Sequence, residues 1–318
     1  LHLCDRRQRQ MCIRDRNKQG RIGLIILLVL AVTAVFAPLI APFDPYDVTM
    51  RDAKGLAPDK IHWLGTTITT GQDVFSMLIY GTRVSLGIGI ITGIAISVLG
   101  SLLGVAAGYL GRAVDMIIMR IVDVMLVIPT LPLTILITNI FGKSYVVIVL
   151  VFVLFGWPGL ARTVRSQVLQ MKNADYVKAA ELSGAKKGYI MLKHILPGVS
   201  NLVVMSTALT SAGIMIAEAG LSFLGLGNPT MISWGKMLSE AQSSGAVLFG
   251  QWWMIVAPGI GIFLSVYSFM RVGFAIEEVL NPKMHGQGSV KKLWKHMNGT
   301  YLDEVFDTME EPCKTQSK

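Results

Sequence analysis

Asp175–Pro197 reads DYVKAAELSGAKKGYIMLKHILP. The stretch is polar, basic and helix-prone, and it stands between an uncharged run ending at Ala161 and another opening at Ile195. Asp175 is placed to cap a helix through a side-chain oxygen. Tyr176 to Ser183 favours helix, and Gly184 suits a left-handed stop. A second helix is expected over Lys186 to Ile195, ended by Pro197, whose ring and missing N–H do not continue it. Ala179 and Ala180 share one turn and make a small, smooth face of the kind a partner's groove accepts. A basic helix also lies on anionic lipid. On spacing alone the stretch is therefore either a docking helix-turn-helix or an interfacial amphipathic loop.

The surroundings decide the class of protein. Of 318 residues, 52% are hydrophobic and 15% charged, with a mean hydropathy of +0.55, against about 25% charge in an average soluble domain. The net charge of +9 is clustered at the N-terminus, in the central loop and at the start of the C-terminal tail. That clustering suits orientation in a membrane; basic patches interleaved with aromatics, as nucleic acid would want, are missing from the sequence. Cys4, Cys12 and Cys313 have no zinc-ligand spacing, and the five histidines make no cluster, so neither a metal nor a cofactor is expected. Residues 1 to about 15 look like a fragment start or a non-native lead and are set aside.

Six apolar runs are expected to cross the bilayer, each needing about 20 residues. They are Ile22–Ile40, Val84–Gly111, Val124–Gly142, Ser144–Ala161, Ile195–Ala217 and Ala241–Met270. The first is long for a signal peptide and lacks a clean cleavage site, so it is expected to be retained. The second carries Gly89, Gly93, Ser97 and Ser101 in one row and Gly100, Gly104 and Gly108 in another; small residues four apart let helix backbones approach closely in lipid. The third is interrupted by Pro129 and Pro132, giving a kinked helix that either lines a path or is merely structural. Arg112 to Asp123 is expected as a charged link, with Arg120 and Asp123 spaced to pair. Trp234 is placed at the membrane interface. Arg162, Arg165, Lys172, Lys178, Lys186, Lys187 and Lys193 face only Asp175 and Glu181, the strongest positive-inside signal in the chain. Six crossings put both termini and this loop on the cytoplasmic side. The resulting division is a tail 1–21, a first span 22–42, an external loop 43–82, a core 83–276 containing the loop 172–197, and a cytoplasmic tail 277–318. The tail's Asn298 sequon would then never meet a secretory lumen.

Other chemistry is weakly supported. Gly87-Ile88-Gly89 lacks the third glycine of a dinucleotide fingerprint, and Gly142-Lys143-Ser144 lacks the glycine five residues earlier that a phosphate loop needs. No nucleophile stands with a base at recognisable spacing, which argues against a membrane enzyme. A secondary carrier would want charges at mid-membrane; Glu218, at the end of a run, is read as structural.

Ala179-Ala180, three residues, Gly184, eleven residues, then Leu196-Pro197 resembles the coupling loop of ABC importer permeases. From about residue 17 to 283 the chain resembles the second permease subunit of the dipeptide/oligopeptide/nickel importer family. The matching stretches are His62–Thr66, Tyr80–Gly89, Asp115–Leu126, Gly156–Arg162, Glu218–Gly227, Ser233–Leu238 and Asn281–Lys283. It departs from that pattern at Lys178, where the family has Glu, and at Thr67 and Gln72 of the outer loop. The resemblance implies an all-α inner-membrane permease of the type I importer fold. Its implied partners are a homologous permease (making a heterodimer), two cytoplasmic ATP-binding subunits and an external solute-binding protein. ATP hydrolysis would belong to the partners, and the solute would be a peptide, with a nickel complex or another small solute as the alternative. Asp175, Lys178, Ala179, Ala180 and Gly184 would form the docking face, with Leu196 and Pro197 tying it to the fifth span.

Overall fold

The computed structural model describes residues 18–47 and 53–280. The three cysteines, the N-terminal lead, Asn281–Lys283 and the acidic tail lie outside the described residues. Two compact units divide the chain, Leu1–Ile276 and Glu277–Lys318; only the end of the last helix represents the second here. Among the described residues the structure is helical, with a lone antiparallel bridge between Thr66 and Asp73.

The main helices among the described residues are α1 (Lys18–Val35), α2 (Val74–Leu110), α3 (Arg112–Val127), α4 (Thr130–Phe141), α5 (Tyr145–Met171), α6 (Asp175–Leu182), α7 (Leu196–Phe223), α8 (Trp234–Ser243) and α9 (Trp253–Leu280). By length and composition four helical paths can cross a membrane: α2, α5, Lys187–Phe223 and Trp253–Glu278. α3 and α4 qualify only together, across an 84° bend, and Gln19–Val35 is a shorter apolar helix. The expected six crossings thus reduce, on this criterion, to four, or five with the bent pair as one. The bend has a local cause. Pro129 disfavours helix at the residue before it, and Ile128 is extended at φ −72°, ψ 124°. Pro132 falls in the first turn of α4, where a missing N–H costs nothing.

α2 is the central post, packing against α1, α5 and α7. Its 37 residues span about 55 Å at 1.5 Å each, well beyond a hydrocarbon core of about 30 Å. The two small-residue rows face different neighbours. A Cβ on Gly89 or Gly93 would run into Met215 or Ser211 of α7. On Gly100 it would lie 3.0 Å from the Trp157 carbonyl, on Gly104 2.6 Å from that of Ala161, and on Gly108 2.8 Å from Val168 Cβ, all on α5. Ser97 and Ser101 are buried in the same helix.

Several boundaries move because charges find distant partners. α2 starts at Val74, not Val84: Arg83 sits inside it and donates to the carbonyls of Ala34 (3.0 Å) and Val35 (3.1 Å). α5 runs through Pro158 to Met171. The expected link from Arg112 to Asp123 is helix α3, which lies along α5. There Asp123 pairs with Arg162, not Arg120, and Asp115 pairs with Arg165. Trp234 packs inside the protein. It is 1% exposed, and its indole N–H donates to the Leu78 carbonyl at 3.1 Å. Glycines make room for it: a Cβ on Gly81 or on Gly261 of α9 would lie 2.9 Å from its ring.

Candidate functional site

The Asp175–Pro197 segment sits at the C-terminal end of α2. α6 opens without the expected cap. Ala174 holds the extended N-cap backbone (φ −69°, ψ 145°) and no side chain bonds the first turn. Asp175 is already helical, one position too late to accept from the free N–H groups of the first turn; its charge still favours the positive end of the helix. The stop is as expected in kind. Gly184 has φ +79°, Ala185 N–H reaches the Ala180 carbonyl at 3.2 Å, and Ser183 N–H reaches that of Ala179 at 3.0 Å.

Pro197 does not end the second helix. Lys187–Ile190 passes into a π turn, Met191–Ile195, and then directly into α7, with Pro197 in its first turn. In the wide turn the Leu196 N–H bonds the Met191 carbonyl, and the shift to five-residue spacing accommodates a residue that has no N–H to give.

One side of this segment is anchored. Val177, Ile190 and Ile195 are fully buried with Val105, Val164 and Val199 in a single apolar cluster. The other side is bare. Lys178, Ala179, Gly184 and Pro197 are exposed, while Ala180 and Leu196 are half-buried. Leu182 is 90% exposed, and Leu192 (66%), Tyr189 (56%) and Tyr176 (50%) join it. These four were not among the residues expected on the docking face; their spacing from the buried valine and isoleucines was the available signal. A polar tie was missed too, and nothing local announces it. Tyr109, at the end of α2 and 3% exposed, donates to Glu181 Oε1 at 2.9 Å. Lys172 Nζ donates to the Tyr109 carbonyl at 2.9 Å and lies 5.5 Å from its ring centre.

The other end of α2 carries a folded loop. Asp73 caps α2, accepting from Ser76 N–H (2.8 Å) and Oγ (2.7 Å), while its other oxygen lies 3.0 Å from buried His62 Nδ1. Thr67 accepts from the Gln72 N–H at 3.0 Å, and the Gln72 amide donates to the Pro45 carbonyl at 2.5 Å. The two positions of this loop that depart from the family pattern, Thr67 and Gln72, are thus satisfied within it. Beside it opens a cavity of about 540 Å³ whose lining includes Tyr46, Gln72, Lys143, Asn228, Lys236 and Glu240. Burial pushes the Lys236 ammonium down from its ordinary value, opposed by Glu240, and its Nζ donates to the Pro229 carbonyl at 2.5 Å. Among the described residues no group of three His, Cys, Asp or Glu could hold a metal ion.

Residues 98–286 match the family described as binding-protein-dependent transport system inner membrane component, and residues 16–58 match the N-terminal TM domain of oligopeptide transport permease C. The chain is 36% identical over 270 residues to a dipeptide transport system permease protein of Bacillus subtilis, covering 85% of this chain and 83% of that one. It is 34% identical over 269 residues to an oligopeptide transport system permease protein of the same organism, covering 84% and 87%. It is 35% identical over 250 residues to a glutathione transport system permease protein of Pectobacterium atrosepticum, covering 78% and 82%. A multi-pass helical bundle built on α2 and a family match across most of it lead to one conclusion: the chain belongs to the binding-protein-dependent transport system inner membrane components, a permease family and not a family of enzymes.

Proposed function

We propose that this chain is one permease of an ATP-driven importer of di- or oligopeptides. Its companions are a homologous permease, two cytoplasmic ATP-binding subunits and an external binding protein. The observation that carries this reading is the bare apolar patch of Leu182, Leu192, Tyr189 and Tyr176 on a segment rich in lysine. Exposed apolar side chains rimmed by charge mark a protein contact more than a solvated loop. The names of the relatives favour peptides, with glutathione, a nickel complex or another small solute as the alternative in the same family.

The topology proposed has six crossings: α1, α2, α3 with α4, α5, Lys187–Phe223 and α9. Both termini and residues 172–197 face the cytoplasm; residues 43–73 and the cavity beside them face outward, towards the binding protein. Asp175, Lys178, Ala179, Ala180, Gly184 and Leu182 form the docking face, and Leu196 and Pro197 join it to α7. ATP closes the partner subunits, their movement displaces this face, and the bundle changes between two openings, which nucleotide biases by binding one state better.

The test is uptake of labelled dipeptide into proteoliposomes holding the assembled importer. Gly184→Arg is expected to abolish ATP-driven uptake and ATPase co-purification; survival of both overturns the docking assignment. One feature favours a second reading, a secondary carrier: Glu218 is fully buried within α7 and accepts from Ser222 Oγ at 2.7 Å. Uptake abolished by a protonophore and indifferent to ATP depletion would establish that reading instead.

A further inference from the structure

We infer that Tyr109 is a positioning residue through which displacement of α6 enters the bundle by way of α2, in addition to the covalent path into α7. The inference rests on the proposed role of α6 as the docking element.

The segment is joined to the bundle in two ways, and they differ in stiffness. Along the chain it runs into α7 through the π turn Met191–Ile195 and then Pro197. A π turn and a proline are both recognised places for a helix to bend, which makes this path the more compliant of the two. Across the chain it meets α2 directly. Glu181 accepts from the Tyr109 hydroxyl at 2.9 Å, and this bond joins residues 72 apart. The acceptor is a carboxylate, which makes the bond stronger than one between neutral groups. The phenol cannot tilt away freely, because Tyr109 is 3% exposed and packs in the cluster that holds Val164, Val168 and Val177. Lys172, at the end of α5, holds the same residue from its other side through the backbone carbonyl and the ring face.

Tyr109 therefore gathers the ends of α2, α5 and α6 at one point. What moves α6 must either stretch the Glu181 bond or carry α2 along. Since α2 packs against α1, α5 and α7, a displacement delivered there reaches every one of those helices without passing through the π turn. α6 has two carboxylates, Asp175 and Glu181. Both lie on exposed positions, and of the two it is Glu181 whose carboxylate meets the Tyr109 hydroxyl.

The experiment uses the complete importer in proteoliposomes and reads uptake per ATP hydrolysed. Tyr109→Phe, which keeps the ring and loses the hydroxyl, and Glu181→Ala are each expected to lower this ratio about tenfold while the ATPase subunits still co-purify and hydrolyse ATP. Glu181→Gln, which keeps an acceptor, is expected to restore most of it. The double variant should be no worse than either single, as for two ends of one bond. Glu181 is exposed, so Glu181→Ala reports even if Tyr109→Phe disturbs folding. An unchanged ratio in Glu181→Ala, or full additivity in the double variant, overturns the inference. If the unaltered protein retains no ATPase subunit, the proposed function itself fails and the inference falls with it; a normal complex with an unchanged ratio rejects Tyr109 alone.

Discussion

Arg165 grips both oxygens of Asp115. Its Nε donates to Oδ1 and its Nη2 to Oδ2, the second at 2.6 Å, so that α5 and α3 are held by a fork rather than a point contact. Two parallel charge-assisted bonds fix direction as well as distance. A turn away, Arg162 and Asp123 form a single bond between side chains that are 52% and 53% exposed.

These two pairs should differ in worth. Asp115→Asn is expected to lower stability by about 1–3 kcal/mol, since it weakens a partly sheltered charged bond. Asp123→Asn should cost under about 1 kcal/mol, as exposed pairs do. Thermal unfolding in detergent at equal salt checks the order. Equal losses would mean that the fork adds nothing.

The glycine rows predict a contrast within one helix. Gly104→Ala places a Cβ 2.6 Å from the Ala161 carbonyl and 2.8 Å from Val164 Cβ, so α2 and α5 must part, at a cost of about 1–3 kcal/mol. Gly87→Ala meets nothing within 4 Å and should be neutral or slightly stabilising through helix propensity. Unfolding midpoints of the two variants, measured side by side, decide it.

The bare patch on α6 should behave as a contact site. Leu182→Asp is expected to reduce ATPase co-purification by tenfold or more, in keeping with roughly 2 kcal/mol or more at an interface hot spot, with no change in unfolding temperature, because the side chain is 90% exposed. Leu102→Asp, on the 50% exposed face of α2, serves as a control that should harm insertion and stability but not act through docking.

The loop that precedes α2 should loosen in acid. Asp59 Oδ1 accepts from the backbone N–H of His62 (2.5 Å) and Ile61 (2.8 Å). The His62 bond above all holds its carboxyl below the ordinary 3.8, with burial opposing and the Ile61 bond and His62 charge assisting. A depressed carboxylate contributes stability that is full above the unfolded value and is lost as pH falls through the folded one. Emission from nearby Trp63, which packs on Phe75 at 5.0 Å, should therefore shift as pH drops below 3.8. Asp59→Ala should show the acid form's emission at neutral pH and no transition.

What the sequence made legible was local. An uncharged run with glycines every fourth residue announces a buried helix, and Gly184 announces a left-handed turn at φ +79°, because both depend on a residue and its near neighbours. What escaped was decided far along the chain. Arg83 and Arg162 looked like the limits of spans, and Arg165 like a charge of the loop beyond. Each lies inside a helix because its partner, whether the Ala34 carbonyl, Asp123 or Asp115, comes from another element. Pro197 looked like a stop because the wide turn that spares its missing N–H has no sequence mark. Asp175 was misplaced by one residue, a distance that decides whether a side chain caps. Tyr109 gave no signal at all, since a tyrosine closing an apolar helix is ordinary until Glu181 is brought beside it.

The seating of Trp234 has a consequence for how such a molecule opens. Its indole fills a notch cut from two helices at once, with glycine at Gly81 on one wall and at Gly261 on the other. A peg shared in this way forbids sliding: neither wall can shift lengthwise without ejecting a ring that is also bonded to Leu78. The ends of α2 and α9 that meet at this ring are then expected to swing as one leaf, so that a parting of the bundle has its seam along some other edge.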